Sequence, residues 1–132
     1  MVVTNKNDYY SDLDNSIIGI DEVGRGALCG PVVSCALILH KNISQEKLFD
    51  KITDSKKLSE KKRLELSTII KKYSKFNIGI SDNMEIDKYN ILNATIFSMK
   101  RAYRKFKNTK FKIKIDGLKT FELNERTTFH IK

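Results

Sequence analysis

Long apolar runs are missing from this 132-residue chain. None approaches the roughly 20 residues that a membrane-spanning helix needs, so no transmembrane segment is expected. The opening "MVVTNKNDYYSDLDNS" has neither a basic n-region nor an apolar h-region. A secretory leader is therefore not expected, and the cytoplasm is the default compartment. Cysteine is scarce: Cys29 and Cys35 are the only two, with no second Cys/His pair at zinc spacing. That excludes a zinc site of the usual kind and leaves two buried free thiols as the expectation. The two histidines, His40 and His130, end strand-like runs and read as solvated or core-edge side chains. Repeats and internal linkers are absent.

What the chain does have is charge and a real core. Lys and Arg number 25 against 16 acids, a net charge of +9, which points to a polyanionic partner. An AT-rich genome, which favours Lys and Asn codons, explains the same excess. With 40% apolar residues the length fits one ordinary domain. Residues 1–14 are polar and aperiodic and read as a disordered lead-in, with the domain at 15–132.

Five strands and two helices are legible. "SIIGID" is a short apolar run, and "PVVSCALILH" a second with Pro31 at its first position. The glycine-rich link between them predicts an antiparallel pair. "LSEKKRLELSTIIKKY" predicts a helix capped by Ser59, with an apolar stripe of Leu66, Ile69, Ile70 and Tyr73. "KFNIGIS" alternates as a strand. From Glu85 a second helix is expected, its core side formed by Tyr89, Leu92, Ile96, Met99, Tyr103 and Phe106. "KFKIKID" and "RTTFHIK" are the last two strands. The order predicts an α/β domain, a mixed sheet with helices packed on it. The second helix is then a crossover that brings "KFKIKID" parallel to a neighbour.

Acids cluster at strand ends. Asp21 and Glu22 close the first strand and Asp116 closes the fourth. Adjacent residues on a strand point to opposite faces, so Asp21 and Glu22 converge only if the strand bends or the Glu side chain reaches round. If the first and fourth strands are neighbours, Asp116 stands beside Asp21. Three carboxylates together resist ionising, and a divalent cation removes that cost. Oxygen ligands without His or Cys favour Mg2+ or Mn2+ over zinc. The plainer reading is strand-end acids in water.

Beyond these patterns, four blocks carry a resemblance. "GIDEVGRGALCGPVV" (19–33) closely resembles the first motif of ribonuclease HII, the type II ribonuclease H family. "TDSKKLSEKKR" (53–63), "EIDKYNILNATIFSMKRA" (85–102) and "KIDG" (114–117) are similar to its second, third and fourth blocks, in the same order. The resemblance implies a ribonuclease H-like mixed sheet flanked by helices. It implies an endoribonuclease that cleaves the RNA strand of RNA–DNA hybrids, or a duplex at embedded ribonucleotides, leaving a 3′-hydroxyl and a 5′-phosphate. Asp21, Glu22 and Asp116 match three of the family's four metal-holding acids, with Mg2+ or Mn2+ as cofactor and a monomer as the working form. Two metals about 3.5–4 Å apart clamp the scissile phosphate in such sites.

Gly24, Arg25 and Gly26 match the family's ribose-sensing loop. Glycine lets backbone groups approach a 2′-hydroxyl, the group that separates RNA from DNA. Arg25 is expected to hold a nearby phosphate. Ser55, Lys56 and Lys57 match a block that meets the nucleic-acid backbone, although a helix-entry role fits them equally. Asn90 and Asn93 match polar positions of the third block, and packing explains them as well.

Departures from the pattern bear on activity. Ala27 replaces a usual proline, and Leu118 a usual polar residue. The family continues past "FHIK" into a fourth acid, a small-residue helix and a tyrosine against the ribose. The expectation is a domain lacking its C-terminal helical part, marginally folded and impaired in catalysis. A lost helix exposes apolar surface at about 25 cal/mol per Å2 against a stability of about 5–15 kcal/mol. Two alternatives stay open: a non-catalytic hybrid-binding remnant, and a basic RNA-binding protein.

Overall fold

A computed structural model describes residues 17–25, 29–106, 111–117, 123 and 127–130, the last three as backbone. The expected lead-in at 1–14 lies outside these residues, as do Gly26, Ala27 and Leu118. The elements follow the predicted order: β1 (Ile17–Val23), β2 (Val32–Leu39), α1 (Glu60–Lys72), β3 (Ser74–Ser81), α2 (Asn83–Tyr103), β4 (Lys112–Asp116) and β5 (Thr127–His130). Short 3-10 turns lie between β2 and α1 and after α2.

The strands form one sheet in the order β3-β2-β1-β4-β5. β1 and β2 are antiparallel, with Asp21 opposite Cys35 and Val23 opposite Val33. β4 runs parallel to β1, Ile20 pairing with Ile115, and β5 runs parallel to β4. Both the antiparallel pair and the crossover are as expected, because a long helix between strands allows parallel return while a short link does not.

Alternation decides which face is covered. Ile18 and Ile20 of β1, Val32, Ala36 and Ile38 of β2, and Ile113 and Ile115 of β4 are buried, while Ile17, Asp21, Lys112 and Lys114 are exposed. Burying each Ile contributes about 1.5–3 kcal/mol. Among the described residues the chain forms two compact units. One is Leu39–Lys75, and the other combines Asn15–Ile38 with Phe76–Lys132.

In the first unit α1 behaves as predicted. The Ser59 side chain accepts the Lys62 N–H, Glu60 occupies the first turn, and Leu66 and Tyr73 are buried. His40 is buried here too, and its Nδ1 accepts the Asn42 N–H, so its ring caps a 3-10 turn.

Helix α2 departs from its expectation in three ways. It starts at Asn83, two residues early, because Asp82 caps it by accepting the Glu85 N–H. It breaks at Asn90, whose φ of 71° and ψ of 168° are not helical. Asn90 Oδ1 accepts the Asn93 N–H and so caps the second half of the helix, while Asn93 Nδ2 donates to the Tyr89 carbonyl. Its buried side also differs from the prediction and is built of smaller residues. Ala94, Thr95, Ser98 and Ala102 join Met99, Tyr103 and Phe106, while Tyr89 is exposed. Leu92 and Ile96, beyond the break, are only half-buried, so the covered face lies further round the helix than the predicted stripe.

Small residues let α2 lie close to the sheet. A Cβ on Gly79 of β3 would sit 1.9 Å from the Ser98 carbonyl oxygen and 2.4 Å from the Ala102 nitrogen. Buried hydroxyls are satisfied at this contact: Ser34 and Ser98 bond each other, Ser98 also bonds the Thr95 carbonyl, and Ser81 bonds that of Ala94.

Candidate functional site

The acids sit where β1 and β4 end. One residue beyond the Ile20–Ile115 pair, Asp21 and Asp116 follow in register on adjacent parallel strands. Side chains alternate, so Asp21 shares the face of Ile17 and Gly19, and Asp116 that of Lys112 and Lys114. Gly19 pairs with Lys114, which makes these the same face. The first and fourth strands are therefore neighbours, with Asp21 and Asp116 each following the last register pair.

Glu22 belongs to the other face and is half-buried. The strand does not have to bend for the two neighbours to interact. The Asp21 side chain turns along the backbone, and its Oδ1 accepts the Glu22 N–H at 2.8 Å. Burial pushes the Glu22 carboxyl above the ordinary glutamate range, and a hydrogen bond with Asp21 and the Asp21 charge push it further. Its own backbone N–H and the Arg25 charge oppose this. Arg25 Nη1 lies 3.9 Å from Glu22 Oε1.

The sign of the resulting pH dependence follows from proton counting. Folded Glu22 holds its proton at pH values where the unfolded chain has lost it. Its contribution to stability therefore falls as pH rises from about pH 4 through its raised folded value, and returns on acidification. Glu22→Gln is expected to gain on the wild type in thermal midpoint as pH rises through that window. Melting curves of both chains from acid to neutral pH check this; parallel curves would contradict it.

Oxygen donors under like-charge pressure fit a hard divalent cation in chemistry. Asp21 and Glu22 form the pair in contact, and Asp116 ends the strand next to that of Asp21. Among the described residues, however, no three His, Cys, Asp or Glu side chains are grouped closely enough to hold a metal ion. The predicted three-carboxylate cluster is therefore not assembled in this structure. Register fixes backbone neighbours, whereas the direction of each carboxylate is set by local bonds such as that from the Glu22 N–H to Asp21.

Gly24 follows directly on β1 with φ of 98°, and a Cβ there would lie 2.4 Å from the Pro31 carbonyl oxygen. Glycine is thus demanded twice, by backbone conformation and by close approach. The other side of this connection is tied down where the Gly30 N–H donates to Asn83 Oδ1. Gly26 lies outside the described residues.

Ser55, Lys56 and Lys57 form an exposed 3-10 turn in the Leu39–Lys75 unit. Asp54 caps it by accepting the Lys56 N–H, and Arg63 donates to the Ser55 carbonyl. The helix-entry role is therefore present, and both lysine side chains are exposed.

Cys29 corrects an expectation. It is exposed in the turn before Gly30 and Pro31, outside β2 and so on no core face. Cys35 is half-buried opposite Asp21, and burial pushes its thiol up. The side chain of His130 lies outside the description. Sequence reasoning missed the Asn90 break, for which the only signal was an Asn three residues before another Asn within a helical pattern.

A mixed sheet of this order, flanked by helices and ending adjacent parallel strands in acids, is a ribonuclease H-like fold. The family model that matches, described as Ribonuclease HII, covers residues 18–132, and the chain belongs to that family. It is 47% identical over 114 residues to ribonuclease HII of Fusobacterium nucleatum, covering 83% of this chain and 52% of that protein. To ribonuclease HII of Ehrlichia chaffeensis it is 46% identical over 108 residues, 82% of this chain and 51% of the relative. The chain thus spans about half the length of these curated relatives.

Among solved structures, the PCNA:RNase HII complex from Archaeoglobus fulgidus matches with a TM-score of 0.62 at 26% identity, over 76% of this chain and 50% of that one. Bst-RNase HIII in complex with Mn2+ matches with a TM-score of 0.65 at 19% identity, over 94% and 47% respectively, a likeness of fold. Among the described residues no helix is long and apolar enough to cross a membrane.

Proposed function

We propose that the chain carries the acidic half-site of an endoribonuclease that cuts the RNA strand of RNA–DNA hybrids, including single embedded ribonucleotides, as a cytoplasmic monomer. The observation that supports this reading is the parallel pairing of β1 with β4, two neighbouring strands that end in Asp21 and Asp116. Asp21, Glu22 and Asp116 would hold Mg2+ or Mn2+. When bound, such ions activate a water and stabilise the leaving oxygen of the phosphodiester.

The chain's own residues do the rest. Gly24, with no Cβ, leaves room for a ribose 2′-hydroxyl at the backbone, and the proposal extends this role to Gly26. Arg25, half-buried and beside Glu22, can turn its guanidinium from that carboxylate to a substrate phosphate. Lys56 and Lys57, with the Ser55 hydroxyl, meet phosphates of the duplex and set its position without reading sequence.

A second reading, a module that holds hybrids without cutting them, is favoured because no three-membered group of metal-ligating side chains forms among the described residues. One experiment separates the two. A duplex with one embedded ribonucleotide is incubated with the chain in Mg2+ or Mn2+, and binding to the same duplex is measured in a chelator. Incision at the ribonucleotide supports the nuclease; binding with no incision leaves the holding module. Absence of both refutes the pair.

A further inference from the structure

Strand β3 lies at the edge of the sheet, with β2 on one side only. Two of its large side chains are strongly exposed, Ile78 at 46% and Ile80 at 51%. An edge strand with exposed apolar residues is a template for pairing with another chain. Yet the main chain of this edge is not bare. Arg101 Nη1 donates to the Ile80 carbonyl at 2.6 Å, and Lys105 Nζ donates to the Phe76 carbonyl at 3.0 Å.

The two carbonyls are four residues apart and so point to the same side of the strand. That side is the free one. The same cations, with Arg104, line an open groove of about 540 Å3 along Asn77–Ile80, and no residue of β2 lines it. Arg101 is itself held by Glu85 through two 2.6 Å bonds, Nη1 to Oε1 and Nη2 to Oε2, and also reaches Ser81 Oγ at 3.3 Å. The guanidinium is therefore fixed in place.

We infer that Arg101 and Lys105 cap the outward carbonyls of β3 and so close this edge against strand pairing with a second copy of the chain. The plain alternative is that cations at the end of α2 and in the 3-10 turn after it answer the helix dipole. Arg104 sits in the same stretch and lines the same groove, and dipole compensation would treat it as equivalent to its neighbours. Of the three cations that line the groove, Arg101 and Lys105 donate to carbonyls of the strand. Capping both removes acceptors from each end of the exposed segment, and a pairing strand needs donors and acceptors in alternation. The Lys105 charge, unlike that of Arg101, which Glu85 offsets, also disfavours a second copy of a chain whose net charge is +9.

The test compares self-association by sedimentation velocity over a concentration series. The double variant Arg101→Met/Lys105→Met is expected to associate at least about tenfold more tightly than the wild type. The charge-matched control Arg104→Met/Lys61→Met, which removes two cations that bond no strand carbonyl, is expected to behave as wild type. Adding Ile78→Lys to the first double variant places a charge on the edge and is expected to restore the wild-type mass. The inference is overturned if the first variant does not associate, or if the control associates equally. It is also overturned if Ile78→Lys brings no recovery, since association would then arise from unfolding rather than edge pairing.

Discussion

Asp21→Asn is expected to abolish nearly all ribonucleotide-directed incision, by at least about a hundredfold, while leaving hybrid binding in a chelator within a few-fold of wild type. The lower bound follows from partners of metal ligands, whose loss alone costs about 10–100-fold; a ligand should cost no less. Asp21 is the residue on which the proposed site turns. It accepts the Glu22 N–H, raises the Glu22 carboxyl, and follows the last β1–β4 register pair just as Asp116 does. Asparagine keeps the volume and one carbonyl oxygen to accept that N–H, so the strand end is expected to stay folded. What it removes is a negative charge, and with it both the pressure on Glu22 and the attraction for a hard cation. The variant should accordingly melt no lower than wild type in metal-free buffer at neutral pH. Incision assays and melting curves on the two chains check both parts. Undiminished incision by Asp21→Asn would remove the carboxylates from the mechanism, and a large fall in melting temperature would recast Asp21 as a structural residue.

Much of this site was legible in the sequence because strands write a period of two. Ile18 and Ile20 against Asp21, and Ile113 and Ile115 against Asp116, announce two strands that finish on acids. A helix long enough to cross the sheet returns the second of them parallel to the first. The juxtaposition of residues 95 positions apart in the chain thus follows from handedness and connection length. The ring of three carboxylates does not follow, because alternation sets a face and leaves side-chain direction to local bonds. The same limit explains α2. Periodicity selected Tyr89, Leu92 and Ile96 as core, but the face that packs is the one with small side chains, Ala94, Ser98 and Ala102; separately, an Asn side chain can supply its own cap within a helix, and at Asn90 that option wins over continuing the helical bonds. The Arg101–Glu85 pair, sixteen positions apart, spans that break and bonds the edge strand; no local spacing rule points to it.

Gly79→Ala is expected to destabilise the fold by about 3 kcal/mol or more, near the upper end of what a single overpacked methyl costs. For a chain of this size that is a fall in melting temperature on the order of 10 °C. The added carbon would meet the Ser98 carbonyl oxygen and the Ala102 nitrogen at distances no real contact shows, and both are helix backbone. A side chain could swing aside; α2 can yield only by moving as a body. Ala94, Ser98 and Ala102 face the sheet as small side chains for the same reason, and Asn77 fastens the helix end by donating to the Arg101 and Ala102 carbonyls. Lifting the helix would also strain the Ser81–Ala94 bond and the Ser34–Ser98 pair, leaving buried hydroxyls without partners. The Ser98→Gly change offers a control, since it removes hydroxyl contacts without relieving the backbone clash. If the cost at Gly79 arises from that clash, Ser98→Gly in the Gly79→Ala background gives no recovery, and thermal or urea unfolding of the four chains distinguishes the cases. A Gly79→Ala chain that melts with the wild type would mean that α2 does not press on β3 at all.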